Sequence, residues 1–133
     1  MNKPKPIIIL LLSSLILFIL LSSISFFIIY YNVKSVSIKA RNEYNKNCTE
    51  SLIELIKSEN HSFKEMNDAV WALGQIADKG SLSFLNELLK DSKEFKPCDR
   101  NKYLCKYEVE KAIKWCTKGN ITGWMYKNRD NWK

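Results

Sequence analysis

The chain has 133 residues, of which 21 are Lys or Arg and 14 are Asp or Glu, so its formal net charge is +7. This length allows one small domain and no more, because about thirty N-terminal residues belong to a separate apolar segment. The basic residues are interspersed with acidic ones, a pattern that argues against nucleic acid as a partner.

The first segment is long and apolar. Residues 7–31 contain no charge, no Pro and no Gly. As a helix these residues would extend about 37 Å, which is enough to cross a hydrocarbon core of about 30 Å. A cleaved signal peptide is the alternative, but its apolar region is only about 7–15 residues long and ends at small residues. The segment ends instead at Tyr30 and Tyr31, so we expect residues 1–31 to form a short cytoplasmic tail and an uncleaved signal-anchor.

Two patterns disagree about the side of the membrane on which the rest of the chain lies. More Lys and Arg residues follow the apolar segment closely than precede it, which favours a cytoplasmic domain. Four cysteines, however, all lie after the segment, and an even number in a small domain is typical of disulfides formed in an oxidising compartment. We give the cysteines more weight and expect a single-pass protein with an extracytoplasmic domain.

Residues 32–47 are polar and form either a continuation of the anchor helix or a flexible linker. In the remaining residues, 48–133, apolar side chains recur at three- and four-residue intervals typical of amphipathic helices. The pattern predicts four helices, over about 51–58, 62–78, 81–91 and 103–118, followed by an aromatic tail. Leu73 and Leu85 are expected to be buried where the second and third helices pack.

Several residues are suited to the ends of these helices. Thr49 is a candidate N-cap of the first, and Ser62 with Glu65 forms a capping box before the second. Gly80 suits the left-handed position after the second helix, and Ser81 is a candidate N-cap of the third.

The four helices contain an internal repeat. Residues 52–60 resemble residues 85–93 at an offset of 33, and Ala69-Val70 in the second helix matches Ala112-Ile113 in the fourth at an offset of 43. The offsets differ by a ten-residue insertion between the third and fourth helices. Repeats of this length made of helix pairs are typical of α-solenoids.

The run from Asp68 to Asp91 resembles the HEAT-like repeat of phycobilin-lyase-type proteins, in which an A-L-G helix end precedes a short D-x-x-A/S-L turn and an amphipathic helix. The similarity weakens over 51–60 and 107–117, and it covers neither the anchor, the insertion nor the tail. It implies antiparallel helix pairs used for protein contacts, without lyase activity. The expected fold is all-α, a transmembrane helix followed by a short solenoid of two HEAT-like pairs. The matching residues are Ala72, Leu73, Gly74, Asp78, Ser81, Leu82, Leu85 and Leu88.

The cysteines are disulfide candidates. In antiparallel helix pairs Cys98 and Cys105 flank one connection, whereas Cys48 and Cys116 lie at the opposite end. Of the three possible connectivities, Cys98–Cys105 with Cys48–Cys116 fits best. No metal is expected, because the cysteine spacing lacks the short C-x2-C pair of zinc sites.

The remaining candidates are one histidine and the aromatic residues. His61 is expected to face solvent in a loop and to have no catalytic role. Trp71 and Trp115 lie on amphipathic helices and are expected in the core or lining a groove. In the tail, Trp124 and Tyr126 are expected to cap the open end of the solenoid, which we favour over a ligand-stacking role.

These features favour a membrane-anchored protein-interaction module that is not an enzyme and needs no cofactor. The sequence has no Gly-rich phosphate loop and no paired acid motif. The expected partners are the membrane and a protein, and the basic excess suits anionic lipid headgroups. The alternative is an accessory protein that binds a small molecule or processes a substrate in a pocket between the tail and the second and fourth helices.

Overall fold

The computed structural model describes residues 6–92 and 97–132, and in this part of the chain every regular element is helical. The chain divides into two compact units, one ending at Asn32 and the other starting at Val33. The α-helices are α1 (Pro6–Tyr44), α2 (Cys48–Lys57), α3 (Phe63–Ile76), α4 (Leu82–Asp91) and α5 (Lys106–Lys118). Three short 3₁₀ turns span Lys79–Ser81, Gly123–Tyr126 and Arg129–Asn131.

The described part of the N-terminal unit, from Pro6 onward, is the first part of α1. Within the described residues, α1 is the one helix that is long and apolar enough to cross a membrane, as judged by length and composition. Its large apolar side chains, such as Leu10, Phe18 and Phe27, are exposed. The hydroxyls of Ser23 and Ser25 donate to backbone carbonyls one turn earlier, 2.8 and 2.9 Å away, so these polar groups are satisfied within the helix.

The last part of α1 belongs to the second unit. Residues 33–44 are helical, and Val33, Ser37 and Ala40 are buried at three- and four-residue intervals on one face. Residues 32–44 therefore continue the anchor helix and do not form a flexible linker. The helix ends where Asn45 adopts a left-handed conformation with φ of 52°. Asn tolerates this conformation better than most residues do.

The α2–α3 pair begins at two capped N-termini. Asn47, rather than the predicted Thr49, caps α2 by accepting a bond from the amide of Glu50. The predicted capping box of α3 is confirmed, because Ser62 and Glu65 bond reciprocally. Such reciprocal bonding satisfies backbone donors that the first helical turn leaves unpaired.

The end of α3 differs from the prediction. Ala77, not Gly80, takes the left-handed conformation after the helix, with φ of 56°. Gly80 lies in the 3₁₀ turn Lys79–Ser81, and the hydroxyl of Ser81 donates to the carbonyl of Asp78 at 2.7 Å instead of capping α4. The helix stops earlier than the glycine because the side chain of Asp78 organises the turn through the amide of Gly80.

α3 is the central helix of the domain. It packs against both α2 and α5, and α4 packs against α5. Leu73 and Leu85 are fully buried, as predicted. α3 and α5 run in the same direction, because Asn67 near the start of α3 bonds Cys105 and Leu73 further along bonds Cys116. The buried core around these helices also contains Leu52, Leu55, Val70, Val109 and Ala112.

The described part of the α4–α5 connection, residues 97–105, is fixed at two points. Cys98 and Cys105 lie at disulfide-bonding distance with Cα atoms 6.0 Å apart, the pairing that the sequence predicts. The fully buried amide of Asn67 donates to the carbonyls of Arg100 and Tyr103 and accepts a bond of 3.0 Å from the amide of Cys105. One side chain of α3 thus satisfies the backbone of an irregular segment that has no helix of its own.

The predicted bond between Cys48 and Cys116 is not formed, and both residues are buried free thiols. Cys48 faces Ser37 of α1, whereas the sulfur of Cys116 lies 3.4 Å from the hydroxyl of Ser81 and 3.6 Å from the carbonyl oxygen of Leu73. The reason is the position of α3. Because α3 packs against both α2 and α5, the helices that carry the two thiols lie on different sides of it.

Candidate functional site

An aromatic and basic stripe runs along one side of α5. Tyr107, Lys111 and Trp115 are spaced four residues apart, so they lie one above another on the helix. The Lys111 ammonium nitrogen lies 5.7 Å from the ring centroid of Tyr107 and 4.7 Å from that of Trp115. Tyr107 is 65% exposed. Both distances are within the range of cation–π attraction. We call these three residues the α5 stripe.

Gly74 on α3 sets the position of Trp115. A Cβ atom at Gly74 would lie 2.9 Å from the Cα of Ala112 and 2.9 Å from the Cε3 of the Trp115 ring. Only glycine therefore allows α5 to lie this close to α3. The close approach leaves the Trp115 ring half-buried, with its inner edge against α3.

The C-terminal tail is tied to the domain by polar contacts. The hydroxyl of Thr122 donates to Oε1 of Gln75 at 2.6 Å, and the guanidinium of Arg129 bonds Asp78 at 2.6 Å. A third contact links the guanidinium of Arg41 to the carbonyl oxygen of Trp132, also at 2.6 Å. Anchors at three points hold this irregular segment in one conformation.

The tail divides its aromatic residues between inside and outside. Tyr126 is fully buried, and Trp132 packs edge-on against it with ring centroids 6.1 Å apart. Trp124 is 67% exposed and Ile121 is 74% exposed. Trp124 therefore contributes little to any capping of the domain, unlike Tyr126.

Asp78 connects three parts of the domain. Its carboxylate accepts bonds from the hydroxyl of Thr49, the amide of Gly80 and the guanidinium of Arg129. Burial alone would raise the pKa of Asp78, but these bonds and the positive charge of Arg129 together lower the pKa below its usual value. The carboxylate is thus an ionised structural hub between α2, the turn after α3 and the tail.

A cavity of about 260 Å³ lies beside this hub. Its walls come from the start of α2, the turn before α4 and the tail. Neither Trp71 nor Trp124 lines it; the lining side chains are Asn47, Thr49, Glu50, Ile53, Asp78, Arg129 and Asp130, with the backbone of Gly80.

The structure corrects the expectation for His61. Its side chain is only 9% exposed. Nε2 lies 3.0 Å from Glu43 and 3.2 Å from the hydroxyl of Tyr44, while Nδ1 lies 3.6 Å from Glu65. The loop was expected to expose this residue, but the last turns of α1 cover it. His61 thus joins the end of α1 to the start of α3.

The two free thiols are in inert environments. Burial raises the pKa of Cys48, although a bond to Ser37 and the nearby Arg129 oppose this shift. Burial also raises the pKa of Cys116, with the bond to Ser81 opposing it. Since the thiolate is the reactive form, neither residue has the properties of a nucleophile.

Among the described residues, no three His, Cys, Asp or Glu side chains are grouped so that they could hold a metal ion. Comparison of the chain with family models, with curated proteins and with solved structures found no match. The site must therefore be argued from its own geometry.

The four aromatic residues that the sequence analysis names as candidates differ in their exposure to solvent. Trp71 and Trp115 are half-buried, Tyr126 is buried and Trp124 is exposed. Sequence reasoning missed Tyr107 and Lys111, although the four-residue spacing from Tyr107 to Lys111 and from Lys111 to Trp115 was visible. It also missed the roles of Asn67 and Asp78, because no periodic pattern marks a polar side chain that bonds a distant backbone.

Proposed function

We propose that this chain is a single-pass membrane protein whose helical domain is a non-catalytic protein-interaction module of HEAT-like type. The observation that carries the proposal is the α5 stripe, in which the mostly exposed Tyr107 and the half-buried Lys111 and Trp115 form one aromatic and cationic row. Aromatic residues dominate the binding energy of protein interfaces. Rings that already contact Lys111, as Tyr107 and Trp115 do, would lose less conformational freedom when a partner binds.

The packing of the helices supports the HEAT-like assignment. α2 and α3 form one pair, α4 and α5 form the next, and α3 lies parallel to α5. In helical repeats, equivalent helices stack in the same direction and expose one continuous face. We propose that α5, as the last helix of the stack, presents this face to the partner.

We propose an extracytoplasmic location for the domain, on the basis of the Cys98–Cys105 pair. A reporter that is active only in the cytoplasm, fused after Lys133, should remain silent. A strong signal would contradict this orientation, and it would restore the side that the Lys and Arg distribution favours.

The interaction function can be tested by photocrosslinking in intact cells. A photoreactive amino acid in place of Tyr107 should capture a defined partner, because this position is the most exposed of the stripe. The same amino acid in place of Glu87, which is exposed on α4, should not capture it. Trp115→Ala in the crosslinking chain should abolish the product, and identical products at both positions would contradict the proposal.

The cavity beside Asp78 favours a second candidate, an accessory protein that binds a small molecule between the tail and the helices. Its volume of about 260 Å³ is close to the lower end of ligand pockets, about 300 Å³. We prefer the first proposal because Thr49, Gly80 and Arg129 already satisfy the Asp78 carboxylate. Binding of a small molecule in this cavity should raise the melting temperature of the domain. Ile53→Trp, which would fill the cavity, should abolish that rise.

A further inference from the structure

The tail residues 119–127 expose large apolar side chains in an ordered turn. Backbone bonds from Gly123 to Asn120 and from Met125 to Thr122, each 3.0 Å, form successive turns, and Gly123–Tyr126 within this stretch is a 3₁₀ helix. Side chains three positions apart are eclipsed in such a turn. Ile121, Trp124 and Lys127 are spaced by three and are all exposed.

The inward side of the same turn is already occupied. Thr122 and Tyr126 are buried, and Thr122 bonds Gln75. The outward row would be expected to be polar if it faced only water. It carries instead the two most exposed large apolar side chains of the second unit, Ile121 and Trp124. Thr122 and Tyr126 thus occupy the inward side of the turn, and Ile121 and Trp124 lie on its exposed side.

Along the chain, positively charged residues flank these two side chains. Lys118 precedes Ile121 by three residues and Lys127 follows Trp124 by three. Both lysines are exposed, and neither forms an ion pair with any residue of 6–92 or 97–132. The nearby charges of Arg129 and Asp130 are directed into the domain, toward Asp78 and the amide of Cys48. We call Lys118, Ile121, Trp124 and Lys127 the tail patch.

We propose that the tail patch docks on an anionic lipid surface. Tryptophan prefers the headgroup level of a bilayer, and an adjacent aliphatic side chain adds buried apolar area. Unpaired lysines beside it attract anionic headgroups. A protein partner fits less well, because the patch has as many cations as apolar side chains, and charged residues are depleted at the core of protein interfaces. The site is separate from the α5 stripe and does not depend on the proposed protein partner.

The test uses the full chain reconstituted in vesicles of phosphatidylcholine mixed with phosphatidylglycerol. All four tryptophans lie after residue 70, so the apolar segment contributes no tryptophan emission. Lipids with brominated acyl chains should quench part of the wild-type emission, and Trp124→Ala should lose most of that quenching. Because Trp124 is exposed, the melting temperature of this variant should equal that of the wild type.

The charge dependence gives an independent measurement. Lys118→Gln with Lys127→Gln should lower the ratio of docked to free domain by about fivefold for each lysine. Lys79→Gln with Lys90→Gln removes two exposed lysines from another part of the domain and should leave the ratio unchanged. The Tyr107→Ala variant should also be quenched like the wild type.

Three results would overturn the proposal. The first is quenching that is absent in the wild type, or equal in the wild type and Trp124→Ala. The second is equal loss of docking in the two lysine pairs, which would indicate attraction by net charge alone. A photoreactive residue at position 124 that captures a protein, in vesicles where brominated lipid has no effect, would assign the patch to a protein interface instead.

Discussion

α3 and α5 lie side by side and run in the same direction, but their surroundings differ. Eight residues of α3 are buried, from Asn67 to Ile76, whereas only Val109, Ala112 and Cys116 are buried on α5. Both helices show a similar amphipathic pattern, and the sequence aligns Ala69-Val70 with Ala112-Ile113. Neighbours on both sides, α2 and α5, bury α3, while α5 packs against α3 and α4 and leaves its third face exposed.

The comparison shows where stability and recognition are separated in this domain. α3 supplies Leu73 to the core and Gly74 for close packing against α5. It also supplies Asn67, which bonds the connection before α5, and Gln75, which bonds Thr122 of the tail. α5 supplies the exposed stripe. Substitutions of buried residues on α3 are therefore expected to destabilise the domain, and substitution of the exposed Tyr107 on α5 to affect binding alone.

Leu73→Ala is expected to have the largest effect. Leu73 is fully buried on α3, and the lost apolar contact together with the remaining cavity should lower the free energy of unfolding by about 2–5 kcal/mol. The measurement is thermal or denaturant unfolding of the full chain in detergent. Ile113→Ala on α5, where the side chain is half-buried, should cost clearly less; equal losses would show that the two helices are equally central.

Asn67→Ala should cost about 2–3 kcal/mol, because it leaves the buried amide of Cys105 without its partner. It should also speed proteolysis within residues 97–104, since the carbonyls of Arg100 and Tyr103 lose their hydrogen bonds from the Asn67 side chain. Asn86→Ala is the matched control. Asn86 is exposed and bonds only the carbonyl of Leu82 in its own helix, and a similar loss there would refute the proposed role of Asn67.

Gly74→Ala should destabilise the domain by about 1–3 kcal/mol through overpacking, although alanine favours helix more than glycine does. The new methyl group would meet the backbone of Ala112 at 2.9 Å. A change in Trp115 fluorescence should accompany the loss of stability. Gly123→Ala is the control, because a Cβ there meets its nearest atom at an ordinary 3.6 Å. A stabilised Gly74→Ala variant would show that α3 and α5 can move apart freely.

Acid should weaken the contact between α1 and α3 through Glu65. Bonds from Lys39 and from the amide and hydroxyl of Ser62 lower the pKa of Glu65 from 4.5 to about 2. A carboxyl whose pKa is lowered on folding stabilises the fold above its unfolded pKa, and this contribution is lost as the pH falls toward 2. The melting temperature should therefore fall less steeply between about pH 5 and pH 2 in Glu65→Gln than in the wild type. Equal slopes would exclude this contribution.

Tyr107→Ala should have the smallest effect on stability, below about 0.5 kcal/mol, because the ring is mostly exposed. Binding of the partner captured through the α5 stripe should nevertheless weaken by at least tenfold if the ring is an interface anchor. Calorimetry and a binding assay on the same variant give both values. If the domain unfolded on this substitution, Tyr107 would contribute to stability in the way that the buried residues of α3 do.

Much of the local structure followed from the sequence. The apolar segment, the four helices of the domain, the capping box at Ser62 and the burial of Leu73 and Leu85 depend on periodicity and on contacts within a few residues. The Cys98–Cys105 pair was predictable for the same reason, since the two residues flank one connection. The HEAT-like assignment and the extracytoplasmic location, which rest on resemblance and on the cysteines, remain predictions.

The tertiary structure alone decided which polar and aromatic residues meet. The sequence could not show that α3 would separate Cys48 from Cys116, because helix order along the chain does not give helix order in space. Nor could it show that α1 covers His61, that Asp78 joins α2 to the tail, or that Tyr126 turns inward while Trp124 turns outward. Each of these outcomes depends on contacts between distant residues. Local periodicity determines which face of a helix is apolar, but packing determines what that face meets.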